Sequence, residues 1–193
     1  MTAPELTMPP AEATWIRDAY HAAETILEYG SGGSTCLAAD MPGKTIFAVE
    51  SDPEWAESLA AYFAAHPPTS PVHLHHVDIG PTGPWGYPRD DSQWSRFHHY
   101  PLSVWDRADF QHPDVVLVDG RFRVACLLTV LFRASRPTAV YFDDYGDRPS
   151  YHVVERLVTP QETRGRMARF DLEPTAVPAA ELSWLMDAFT RTQ

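Results

Sequence analysis

Apolar and polar positions follow two rhythms along this chain. Short runs of consecutive apolar, β-branched and aromatic residues suit strands buried on both faces, and they occur at Thr25 to Tyr29, Thr45 to Val49, Val72 to Val77, Val115 to Val118 and Thr138 to Phe142. Between them apolar residues recur at helical spacing, predicting helices over Ala11 to Ala23, Ser34 to Ala39, Phe122 to Ala134 and near Tyr151 to Val158. One more helix starts at Asp52, whose side chain suits a cap; Pro53 sits in the first turn, and Trp55, Leu59, Tyr62 and Phe63 form an apolar face read as core. Strands alternating with helices predict successive βαβ units, hence an α/β fold around a doubly wound, mostly parallel sheet. Arg166 to Leu172 and Leu182 to Phe189 are expected to close it as an antiparallel pair.

The rhythm fails from Gly80 to Pro113, an insertion after the third strand rich in proline and aromatics: Trp85, Tyr87, Trp94, Tyr100, Trp105 and the pair His98-His99. A loop this long is usually functional or disordered, and its aromatic content argues against disorder. Two readings stand, a substrate lid or wall and a packed structural excursion. A length of 193 residues with 44% hydrophobic content fits a single domain over residues 1–193. The 26 acidic against 15 basic residues give a net charge of -11, which disfavours a surface that tracks nucleic-acid phosphates. Cys36 and Cys126 lie in apolar helical stretches and read as buried thiols of a cytoplasmic protein. No segment reaches the length of a membrane span, and the start lacks a basic flank followed by an apolar stretch, so no membrane partner and no export are expected.

The most specific chemistry lies in Ile26-Leu27-Glu28-Tyr29-Gly30-Ser31-Gly32-Gly33-Ser34-Thr35, an apolar run that breaks into a glycine-rich turn before a helix. Glycines let the chain turn tightly off a strand and present main chain to a nucleotide. Glu50 closes the next strand, where a carboxylate can accept both hydroxyls of a ribose. A second constellation is acidic: Asp119 ends the fourth strand and Asp143-Asp144 end the fifth. Neighbouring strands lie about 5 Å apart, so these acids should converge beside the cofactor. Such a cluster needs a proton, a partner or a hard cation; Mg²⁺ or Mn²⁺ is one reading, and neutralisation by Arg121, Arg123 or Arg148 or a capping role for the aspartates is the other. His73, His75 and His76 read as strand surface.

Through Glu28-Tyr29-Gly30-Ser31-Gly32-Gly33-Ser34 and Glu50, most of the chain resembles the class I S-adenosylmethionine-dependent methyltransferases. The resemblance implies a seven-stranded sheet with a reversed final strand. It also implies S-adenosylmethionine held by Glu28, Gly30, Ser31, Gly32, Gly33 and Glu50, with Asp78 near the adenine. Asp119, Asp143, Asp144 and the stretch Asp143-Asp144-Tyr145-Gly146 look like the metal-dependent small-molecule O-methyltransferases, including catechol and macrolide-sugar types. Two departures leave the base open. Arg121-Phe122-Arg123 stands where that group often has a histidine after its aspartate-glycine pair, and the only lysine, Lys44, is predicted on the far side.

Asp119 with a metal, or His98 or His99 reaching in from the insertion, are the catalytic candidates, and Arg121 and Arg123 either hold an acidic acceptor or pair with the aspartates. The expected activity is O-methylation of a small molecule. A binder without turnover, acting as a sensor or partner subunit, is a second reading. A nicotinamide-dependent oxidoreductase is a third, disfavoured by Thr35 at the place of its third glycine. Acceptor and oligomeric state are not legible.

Overall fold

The computed structural model describes residues 3–192. Its seven strands are β1 (Thr25–Tyr29), β2 (Thr45–Glu50), β3 (Val72–His76), β4 (Val115–Val118), β5 (Thr138–Phe142), β6 (Glu162–Arg164) and β7 (Met167–Leu172), in the order β3-β2-β1-β4-β5-β7-β6. The first five are mutually parallel, and β7 runs antiparallel to both β5 and β6. The helices are α1 (Pro10–Ala22), α2 (Gly33–Ala39), α3 (Pro53–Ala65), α4 (Trp94–Phe97), α5 (His99–Leu102), α6 (Arg123–Arg133) and α7 (Leu182–Thr190).

Strand register carries the site. Tyr29 lies opposite Val49 on β2 and Val118 on β4, and Val118 lies opposite Phe142 on β5. The next residues, Gly30, Glu50, Asp119 and Asp143, therefore emerge along one edge, around the point where the strand order reverses. Successive side chains point to opposite faces and build two cores. Leu27, Phe47, Val49, Val116, Val118, Val140 and Phe142 pack with α6, α7 and much of the insertion, while Ile26, Ile46, Val115 and Leu117 pack with Trp15, Ile16 and Tyr20 of α1. Asp52 caps α3 as expected, accepting from the backbone of Glu54 and Trp55.

Three expectations are corrected. Leu182 to Phe189 is helix α7, not a strand; Leu185 and Ala188 are its buried positions, a spacing of three that belongs to a helical face. The partner of β7 is the short β6, joined to it through Gly165 in the left-handed region (φ +56). Two of the β3 histidines are not simply surface: His73 stacks on Phe47 at 4.7 Å, and His75 Nε2 lies 2.8 Å from Ser103 Oγ under the insertion, while His76 is exposed as expected.

Most of the insertion is a packed excursion. Phe97, Tyr100, Val104 and Trp105 are buried against the sheet; Tyr29 donates its hydroxyl hydrogen to Pro101 O at 2.7 Å and receives the Trp105 indole N–H at 2.8 Å. Lys44 is on the far side, donating to the carbonyl of His21 at 2.9 Å.

Candidate active site

A cavity of about 780 Å³ opens at the carboxyl edge, between the β1 turn, the ends of β2, β4 and β5, residues 85–87 of the insertion and an N-terminal strap, Pro4 to Met8. The glycine turn forms one end. Gly30 has φ +99, and a Cβ there would stand 2.7 Å from Gly120 N, so only glycine lets the β1 and β4 turns approach this closely. At Gly33 the cause is different, since a Cβ would meet the backbone of Glu5 in the strap at 2.4 Å.

Glu50 is buried beside the turn with both oxygens engaged. Oε1 accepts from Ser51 N (2.7 Å) and Asp52 N (2.9 Å), while Oε2 accepts from Ser31 N (3.3 Å) and Ser31 Oγ (2.8 Å). The Trp55 indole N–H donates to Ser31 O at 2.9 Å, and the Ser51 hydroxyl donates to Gly86 O at 3.0 Å, tying the insertion to β2.

Glu28 stands behind this turn and does not line the cavity. It is fully buried on the α1 side, where the Tyr20 hydroxyl donates to Oε1 at 2.6 Å and the Thr35 hydroxyl donates to Oε2. Thr35 Oγ1 in turn accepts from Gly32 N at 2.9 Å, so Glu28 positions the turn through Thr35. Burial pushes its carboxyl up to about 7, against the pull of the hydrogen bonds from Thr35, Tyr20 and Ser34.

The three strand-end acids converge as expected, but guanidinium groups neutralise them. Arg166 grips the buried Asp143 with Nε at 2.9 Å and Nη2 at 2.6 Å, and its Nε lies 3.1 Å from Asp144 Oδ1. Arg123, itself buried, pairs with Asp119 at 3.0 Å and Asp144 at 3.2 Å and donates to the carbonyls of Gly120, Asp143 and Asp119. Arg148 meets Asp144 at 3.1 Å. Three acids thus face three arginines, and a dication could enter only by displacing a buried, multiply bonded guanidinium. Among the described residues no group of three or more His, Cys, Asp or Glu is arranged for a metal ion. The expectation of a metal on Asp119, Asp143 and Asp144 does not fit this arrangement. Asp119 faces the cavity, and its carboxyl is raised to about 7: burial is the largest cause, Arg123 opposes it, and Asp143 and Asp144 add to it.

Three other candidates stand off the cavity lining. Asp78 is exposed, accepting from Gly80 N at 2.9 Å and pairing with Arg96 at 2.7 Å. His98 and His99 lie against one another, ring centroids 4.1 Å apart, and line no part of the cavity. Two residues not anticipated line it, Trp55, read as core, and Arg166; Trp85 and Tyr87 line it as the wall reading of the insertion expects, and Arg148 as a partner of the aspartates. Trp55 had a legible signal, since a helical side chain covers the turn N-terminal to its own Cα and α3 starts right after Glu50. The non-glycine residues at positive φ, Trp85, Phe122 and Asp144, gather at or beside this cavity, as backbone strain tends to do at functional sites.

No protein-family model and no curated protein sequence matches the chain. Among solved structures, a methyltransferase-like protein from Silicibacter pomeroyi is 50% identical, with a TM-score of 0.94 over 97% of this chain and 98% of its own. An O-methyltransferase from Bacillus cereus in complex with SAH shares the fold at 13% identity (TM-score 0.58; 85% of this chain, 82% of that one). So does an O-methyltransferase of tomaymycin synthesis from Streptomyces achromogenes, in complex with SAM, at 17% identity (TM-score 0.51; 84% and 81%). The sheet order with its reversed β7, the glycine turn facing Glu50, and the half-identical relative lead to one assignment: the chain belongs to the class I S-adenosylmethionine-dependent methyltransferases.

Proposed function

We propose that the chain transfers a methyl group from S-adenosylmethionine to a hydroxyl of a small molecule, with Asp119 as the base and without a metal ion. The observation that carries this reading is the division of one cavity between a nucleoside-type end, Ser31 with Glu50, and an acid of raised pKa, Asp119. Glu50 already accepts a hydroxyl from Ser31 at 2.8 Å, so a ribose hydroxyl would find the same geometry once Ser31 rotates away. The cofactor supplies an electrophilic methyl on a sulfonium, transferred in line to the acceptor oxygen. As the O–C bond forms and the C–S bond breaks, the hydroxyl proton passes to Asp119, and a neutral thioether and a methyl ether remain. Arg123 holds Asp119 in place through its side chain and its carbonyl.

The cavity volume suits a small-molecule acceptor, and the net charge of -11 speaks against nucleic acid. Among the described residues no helix is long and apolar enough to cross a membrane. Free, buried Cys36 and Cys126 support a cytoplasmic setting. A panel of hydroxylated acceptors incubated with S-adenosylmethionine should release S-adenosylhomocysteine. The rate should rise through about pH 7 as Asp119 loses its proton and level off above it. Asp119→Asn should lower turnover roughly 10²- to 10⁴-fold while leaving S-adenosylhomocysteine affinity intact. Cofactor binding without turnover for any acceptor would favour a sensor or partner subunit, and a full rate in Asp119→Asn would remove the assigned base.

A further inference from the structure

Four arginines line the cavity, and three of them, Arg123, Arg148 and Arg166, are committed to the aspartates. No ion pair among the described residues involves the fourth, Arg121. Its Nε is buried without a hydrogen-bond partner, and its guanidinium carbon sits 4.0 Å from the centre of the Tyr87 ring. Buried charged donors are normally satisfied, so an orphaned guanidinium nitrogen in a cavity wall points to an anion that arrives with a ligand. The neighbouring wall is aromatic: the Tyr87 ring lies against Arg121, and Trp85, 81% exposed, lines the same cavity.

We propose that Arg121 is the specificity residue of the acceptor site, pairing with a carboxylate on a flat, hydroxylated acceptor that lies along the Tyr87 and Trp85 wall. This rests on the methyltransferase reading and deepens it. The sequence allows Arg121 and Arg123 either to hold an acidic acceptor or to pair with the aspartates; in the structure Arg123 takes the aspartates, while Arg121 contacts Tyr87 and no carboxylate among the described residues, which leaves its Nε for the acceptor. A carboxylate is favoured over a phosphate on two grounds. It is planar and matches one guanidinium fork, and its single charge is less opposed by Asp119 and Asp144 in the same cavity. Contact with the Tyr87 ring at 4.0 Å restrains the Arg121 side chain, which lowers the ordering cost of forming such a pair.

The test titrates the full chain, saturated with S-adenosylhomocysteine, with the three isomeric hydroxybenzoates, their neutral amides and phenyl phosphate, and repeats the series with Arg121→Gln. At least one acid should bind roughly 10- to 100-fold more tightly than its amide, the margin of a charge-assisted pair, and Arg121→Gln should erase that margin. Unchanged S-adenosylhomocysteine affinity in the variant shows that the cavity is intact; were the variant to lose it, the acid-to-amide comparison in the native chain still decides. Equal affinities of acid and amide, no binding of any acid, tighter binding of phenyl phosphate, or an acid preference that survives Arg121→Gln would overturn the assignment. Failure of S-adenosylhomocysteine itself to bind would instead strike the methyltransferase reading.

Discussion

Replacing Glu28 with Gln should change how stability depends on pH far more than it changes the fold. Glu28 is fully buried, and its carboxyl titrates near 7 in the native chain against an ordinary value of 4.5. A carboxyl raised on folding contributes stability that is fully present below the unfolded pKa and is lost as pH rises through the folded one. The window here runs from about 4.5 to about 7. At about 1.36 kcal/mol per unit, the loss attributable to Glu28 between pH 5 and pH 8 is roughly 2–3 kcal/mol. Gln has nearly the same shape and keeps one oxygen to accept from Tyr20 or Thr35, but it has no charge to desolvate. Asp119 also titrates near 7, yet it is present in both proteins and cancels from the comparison. Urea unfolding of both proteins at pH 5 and pH 8 gives the four free energies required. The native chain should lose roughly 2–3 kcal/mol more than Glu28→Gln across that interval. Parallel pH slopes would refute the claim that Glu28 is buried and uncharged at low pH behind the glycine turn.

Two further outcomes follow from close packing and from the arginine cage. Gly33→Ala places a methyl 2.4 Å from the Glu5 backbone, so the strap must shift, at a cost of roughly 1–3 kcal/mol in unfolding experiments; an unchanged melting temperature would mean the strap is not seated on α2. Because Arg123, Arg148 and Arg166 already neutralise the strand-end acids, chelation should leave turnover unchanged and calorimetry should show no Mg²⁺ or Mn²⁺ binding; a measurable heat with saturation would contradict the ion-pair account.

The parts of the site that were legible in the sequence are those that strand register alone determines. Gly30, Glu50, Asp119 and Asp143 each follow a run of buried residues, and parallel pairing brings them to one edge whatever their side chains do. What lay beyond that logic was side-chain direction. Glu28 alternates to the far face and meets Tyr20, although it belongs to the same motif as Ser31. The aspartates converge, but their partner Arg166 sits in the β6–β7 turn, which no local pattern connects to β5. Trp85 and Tyr87 reach the cavity because Gly86 crosses over Ser51, a non-local approach through an irregular segment without periodicity. In α7 an apolar segment too short to reveal its period was resolved by tertiary packing, with Leu185 and Ala188 turned to the core.

Isothermal titration of the native chain and of Glu50→Ala with S-adenosylmethionine, S-adenosylhomocysteine and NAD(H) tests the central claim most directly. The account predicts selective binding of the two methionine-derived compounds, weakened roughly 10- to 100-fold when the Glu50 carboxylate is removed. Binding of NAD(H) in their place, or affinity for S-adenosylmethionine that Glu50→Ala leaves untouched, would contradict it.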